Sequence, residues 1–175
     1  TGQSSCDDAD AGYSVSGTAA ISQTACSAGT YQALTGQSSC DDADPGYYVS
    51  GTAAISQTAC SAGTYQDQTG QTSCDDADAG YYVSTSGAST QTACAAGTYQ
   101  ASTAQSSCDD AAAGYYVSGL AATSQTICPA GSYSSSSGSS GCTLASLGHY
   151  VATQGATSQT ACAAGTYQAL TGQSS

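Results

Sequence analysis

The chain has 175 residues and a formal charge of −12, all of it from aspartate, with no lysine or arginine to answer it. Phosphate binding rests on Lys and Arg, so nucleic acid is excluded as a partner, and an anionic membrane surface is disfavoured for the same reason. Glu, Asn, Phe, Trp and Met are absent too, and no stretch is apolar for long enough to insert into a bilayer.

The chain opens on Thr1-Gly-Gln-Ser-Ser5, reaches its first cysteine at Cys6, and closes on Thr171-Gly-Gln-Ser-Ser175. Both ends sit at the same phase of a repeat. Residues 1–5 therefore read as the tail of a preceding repeat, and the chain as an excerpt of a longer array. The cysteines follow at Cys26, Cys40, Cys60, Cys74, Cys94, Cys108, Cys128, Cys142 and Cys162. Their intervals alternate without exception, a long one as from Cys6 to Cys26 and a short one as from Cys26 to Cys40. This gives five 34-residue units, 6–39, 40–73, 74–107, 108–141 and 142–175, without insertion or deletion.

A 34-residue period invites comparison with helical repeats. The residues refuse it, because Gly, Ser, Thr and Tyr replace the Ala, Leu, Glu, Lys and Arg that helices favour. Short strands suit them better. In the long half of a unit, Tyr47-Tyr48-Val49-Ser50 is strand-like, Gly51 supplies a turn, and 54–58 returns to Cys60. In the short half, Thr64-Tyr65-Gln66 leaves Gly63 and turns back at Gly70.

Large apolar residues are scarce. At ~25 cal/mol per Å² of apolar burial, one unit cannot offset the entropy of ordering its own backbone. Evenly spaced cysteines in such a chain read as a disulfide framework, and hence as a protein of an oxidising, extracellular compartment. Zinc sites want cysteines in close pairs along the chain, and here no two are nearer than Cys26 and Cys40. The expected fold is a small disulfide-rich, β/irregular one: an elongated tandem-repeat rod of five 34-residue units with little or no helix, each touching mainly its neighbours.

Residues that recur between units show what the architecture needs. Gly12, Gly46, Gly80, Gly114 and Gly148 form one row, and Gly29, Gly63, Gly97, Gly131 and Gly165 another. Val15, Val49, Val83, Val117 and Val151 read as packing residues. Gln23, Gln57, Gln91, Gln125 and Gln159 either form side-chain ladders or bond a turn. Tyr31 and Tyr48, with their copies, are the only large flat rings and are expected to form an interior spine. His149 stands where Tyr13, Tyr47, Tyr81 and Tyr115 stand, so it reads as a packing variant and not as a general base. No nucleophile–base pair is present, and no catalysis or cofactor is expected.

Two further patterns carry chemistry. Asp7, Asp8 and Asp10 recur as Asp41, Asp42, Asp44 and as Asp75, Asp76, Asp78. Three carboxylates so close can ligate calcium through oxygen. The run fades to Asp109 and Asp110 and then to none, which favours the alternative, a solvated turn in which Asp caps local amides. Ser and Thr number 54 of the 175 residues, about double the usual share. With no Asn, any sugar must be O-linked. The candidate carriers are Thr35, Ser38, Ser39, Thr69, Thr72, Ser73, Thr171, Ser174 and Ser175.

The segment Cys128-Pro-Ala-Gly-Ser-Tyr, running on to Cys142, resembles the cysteine-rich repeats of ephrin-receptor-like (GCC2/GCC3) modules. Its Cys-x-x-Gly-x-Tyr…Cys outline is also similar to the first loop of tumour-necrosis-factor-receptor-type modules. The resemblance implies elongated, disulfide-stapled extracellular rods used in adhesion and recognition. Those families add a second cysteine at each junction, which this chain lacks. The resemblance favours pairing across the short interval, Cys26 with Cys40 and so on. Pairing across the long interval, Cys6 with Cys26, would instead use all ten cysteines, and loop entropy separates the two by only ~0.3 kcal/mol. The expected function is a structural segment of an extracellular, O-glycosylated fibre with itself as partner. The alternative is a cysteine-rich stalk or receptor-like module for adhesion or ligand binding.

Overall fold

The computed structural model describes residues 5–175; residues 1–4 of the leading segment lie outside the described residues. Among the described residues there is no helix, and eighteen two-residue strands form nine antiparallel pairs. Tyr47–Tyr48 pairs with Thr58–Ala59, and Thr64–Tyr65 pairs with Asp75–Asp76. Each strand is short because a left-handed glycine, Gly46 or Gly63, precedes it, and the residue that follows, Val49 or Gln66, bonds the next module through Gln71 or Ala88 instead of extending the pair. The expected hairpins are there, with one change of boundary. The short half does not stop at Cys74 but runs past it, so the acidic run supplies the returning strand.

The two kinds of hairpin turn out to be one. Tyr47 lies opposite Ala59 and Thr64 opposite Asp76, so the two hairpins are equally long. The two glycine rows interleave as Gly12, Gly29, Gly46, Gly63 and onward, always at the same interval, half a unit. The tyrosines do the same from Tyr31 to Tyr167. A 34-residue unit is therefore two 17-residue modules that share a backbone and differ in side chains.

The chain forms two compact units, Thr1–Ala77 with Val83–Gln91, and Asp78–Tyr82 with Thr92–Ser175. In the first, Gly12, Gly29, Gly46 and Gly63 donate their N–H groups to the carbonyls of Gln32, Val49, Gln66 and Val83 in the following module, at 2.7–2.8 Å. Further bonds run from Ala53 N–H to the Cys26 carbonyl and from Gly70 N–H to that of Ala43, both 2.8 Å. In the second, Gly97, Gly114 and Gly131 donate in the same way to Val117, Ser134 and Val151, at 2.7–2.9 Å. Within each compact unit, backbone hydrogen bonds thus tie one module to the next. That meets the need to satisfy buried N–H and C=O groups where strands are too short to do so.

Two recurring positions form the interior of each compact unit. The first alternates Ala and Cys: Ala43, Cys60, Ala77, Cys94, Ala111 and Cys128 are all wholly buried. The second alternates Val with a polar residue: Val49, Val83, Val117 and Val151 are buried, and so are Gln32, Gln66, Gln100 and Ser134. The tyrosines are not the interior spine that their repetition suggested. They are half-buried in the strands. The interior takes only small or slender side chains, while the Tyr47 ring lies outside it against Gly87.

Close approach between modules is enforced at a recurring glycine. A Cβ on Gly46 would collide with the backbone carbonyl of Gly87, and one on Gly12 with that of Ala53. Gly46 also has φ 88°, a region that L-residues avoid. A second left-handed position recurs once per module, and it is not always glycine: Ala19, Ala53, Ala104 and Ala121 hold φ 53–59° there.

Candidate functional site

Four disulfides join Cys26–Cys40, Cys60–Cys74, Cys94–Cys108 and Cys128–Cys142, each at a sequence separation of 14 with Cα atoms 5.7–5.8 Å apart. The pairing is the short one, and Cys6 and Cys162 are free, the former exposed and the latter half-buried. The long pairing, Cys6 with Cys26, does not occur. In each bridge the first cysteine is buried and the second half-buried, so the staple runs from the interior to the surface. The bonds mark a protein of an oxidising compartment, secreted or extracellular.

Alternate modules have no disulfide but hold a different clasp at the same place. Ala43 and Gln57 stand one module beyond Cys26 and Cys40. Gln57 accepts the Asp44 N–H through Oε1 at 2.6 Å and donates from Nε2 to the Asp44 carboxylate at 2.7 Å. Gln23 grips Asp10 in the same two ways, at 2.7 and 2.6 Å. In later modules the partner has lost its carboxylate, yet the backbone half survives. Ala112 donates to Gln125 at 2.6 Å and Ser146 to Gln159 at 2.7 Å. The recurring glutamines therefore bond turns and do not form ladders.

The buried glutamines are a second set that the sequence reading passed over. Gln32 Nε2 donates to the Ser39 carbonyl at 3.1 Å and to Asp41 at 3.3 Å, while its Oε1 accepts the Leu34 N–H at 3.0 Å. Gln66 repeats these bonds with Ser73, Asp75 and Gln68. Their positions, one module away from the recurring valines, were the available signal.

The acidic run is exposed as expected, and its last member opens a turn, the Asp44 carbonyl accepting the Tyr47 N–H at 2.9 Å, but its first two members are not turn. Asp41–Asp42, Asp75–Asp76 and Asp109–Asp110 are strands, each paired with a Thr–Tyr strand. Extended backbone sends successive side chains to opposite faces, which separates the two carboxylates. Asp41 and Asp44 then answer to different glutamines. Asp7 and Asp8 lie exposed before the first strand. Among the described residues no three His, Cys, Asp or Glu side chains gather as a metal site would need. His149 pairs with Ala161 in the register that Tyr47 takes with Ala59, and its Nδ1 lies 3.1 Å from the Leu147 carbonyl.

Thr35, Ser38, Ser39, Thr69, Thr72, Ser73, Thr171, Ser174 and Ser175 are all exposed. No helix among the described residues is long and apolar enough to cross a membrane. No protein-family model matches the chain, and no curated protein matches it in sequence.

Proposed function

We propose that the chain is a structural segment of an extracellular fibre, O-glycosylated on its Ser/Thr surface, with further copies of itself as partner. The observation that carries this reading is the repetition itself. One 17-residue module recurs along the chain, backbone bonds tie module to module within each compact unit, and every second module is stapled. A structural role uses every module equally. The exposed hydroxyls of 35–39, 69–73 and 171–175 supply acceptors for sugar.

Electron micrographs of the native material, with mass per unit length and intact mass of the chain, test this. Filaments and a mass raised by repeated hexose-sized steps are expected. Single particles with unmodified peptide mass would overturn it.

The observed pairing Cys128–Cys142 favours one other reading. It is the pairing implied by the resemblance to ephrin-receptor-like modules, and it supports a cysteine-rich stalk that holds a recognition domain away from a cell. A globular domain or membrane anchor in the parent chain, in place of further repeats, would decide for the stalk.

A further inference from the structure

All twelve aspartates lie between Asp7 and Asp110, and residues 111–175 carry none. The same stretch holds Leu120, Ile127, Leu144, Leu147 and Leu170, five of the eight exposed Ile and Leu side chains among the described residues. One module position shows the change most clearly. In alternate modules it reads Asp8, Asp42, Asp76 and Asp110 and then Leu144, and in the modules between them Ala25, Ala59 and Ala93 and then Ile127, before returning to Ala161. Ile127 is 39% and Leu144 60% exposed. Both lie over bare glycine backbone. A Cβ at Gly155 would stand 3.1 Å from Ile127 Cδ1, and one at Gly172 3.3 Å from Leu144 Cδ2. Each side chain is thus supported from beneath and open above, on successive modules of the same unit.

We propose that Ile127 and Leu144 form a self-association ridge, against which the same ridge of a second copy docks. This rests on the reading of the chain as a self-assembling structural segment and adds the surface. Charge selects the occupant. The chain has no Lys or Arg, so one copy has no cation to set against the aspartates of another. A contact through 7–110 would bring carboxylates together in a water-poor interface. Residues 111–175 are the longest stretch free of aspartate, and can face themselves without that cost. A two-fold contact is self-complementary, so Ile127 of one copy meets Leu144 of the other and the reverse.

The test is sedimentation equilibrium of the 175-residue chain with its two free thiols alkylated, beside the double variant Ile127→Asp with Leu144→Asp. Aspartate already occupies the Leu144 position at Asp42, Asp76 and Asp110, the Ile127 position shares that backbone, and an unchanged count of four disulfides verifies the fold. Reversible dimerisation of the parent chain, with the variant weakened by about a hundredfold or more in Kd, is expected. A parent chain that stays monomeric, or a variant that dimerises equally well, overturns the ridge. Either result leaves the fibre reading standing, since that is decided separately by micrographs of the native material.

Discussion

Gln57 holds Asp44 at two points, accepting its backbone N–H at 2.6 Å and donating to its carboxylate at 2.7 Å. The pair closes its module where Cys26–Cys40 closes the preceding one. Covalent and hydrogen-bonded closure thus alternate along one backbone. Because the clasp is exposed, Gln57→Ala is expected to cost only about 1 kcal/mol. Gln66→Ala should cost more, about 2–3 kcal/mol, because Gln66 is 4% exposed and its loss strands the Ser73 carbonyl and the Gln68 N–H. Paired denaturant titrations check the order, and equal losses would contradict it.

The equivalence of the two closures makes a sharper forecast. Ala43→Cys together with Gln57→Cys should form a fifth disulfide without rearrangement, because these positions repeat those of Cys26 and Cys40. Peptide mapping of the oxidised double variant would locate the bond. A gain of about 2–4 kcal/mol over its reduced form is expected, and a variant that keeps both new thiols under oxidising conditions would show that the modules differ.

Left-handed backbone gives opposite predictions for two neighbouring residues. Gly46→Ala drives a Cβ into the Gly87 carbonyl and should cost at least ~3 kcal/mol or prevent folding. Ala53→Gly relieves an alanine at φ 53° and should stabilise by up to about 1 kcal/mol. Thermal unfolding of both variants reads the signs directly.

Thiol titration of the denatured, unreduced 175-residue chain should find two thiols, those of Cys6 and Cys162, rising to ten after reduction. Reduction should also abolish the cooperative fold, since the chain has too little apolar interior to replace four staples. A reduced chain that still melts cooperatively would shift the weight of stability onto the backbone bonds.

Much of this was legible in the residues. The absence of helix followed from Gly, Ser and Thr in place of helix formers, and strand positions at Tyr47–Tyr48 and Thr64–Tyr65 followed from β-propensity. The shorter module was equally present, in glycines at 12, 29 and 46. It went unseen because the cysteines, with their alternating long and short intervals, draw the eye to a longer period. Cysteine spacing reports which modules are stapled, while glycine spacing reports the path of the backbone. The tyrosine spine failed for a different reason. Ring size suggests burial, but Ala, Cys, Val and Gln fill the interior, and the Tyr47 ring lies outside it against Gly87. Gln57 and Asp44 are well separated in sequence, and only the folded turn brings the two together.

The alternation of closures also governs how such a gene can lengthen or shorten. Unequal exchange that removes one whole unit, such as 40–73, leaves every Cys26-type thiol facing a Cys40-type partner. An exchange of half a unit, deleting 27–43 for example, would join Cys26 to a segment that presents Gln57 where Cys40 had been. The glycines would accept that splice, but Cys26 would be left without its sulfur partner. Length variants of this chain should therefore differ by even numbers of modules wherever the splice falls between the two cysteines of a bridge; a single module is lost without a stranded thiol only when the cut takes both cysteines or neither, as deletion of 41–57 would.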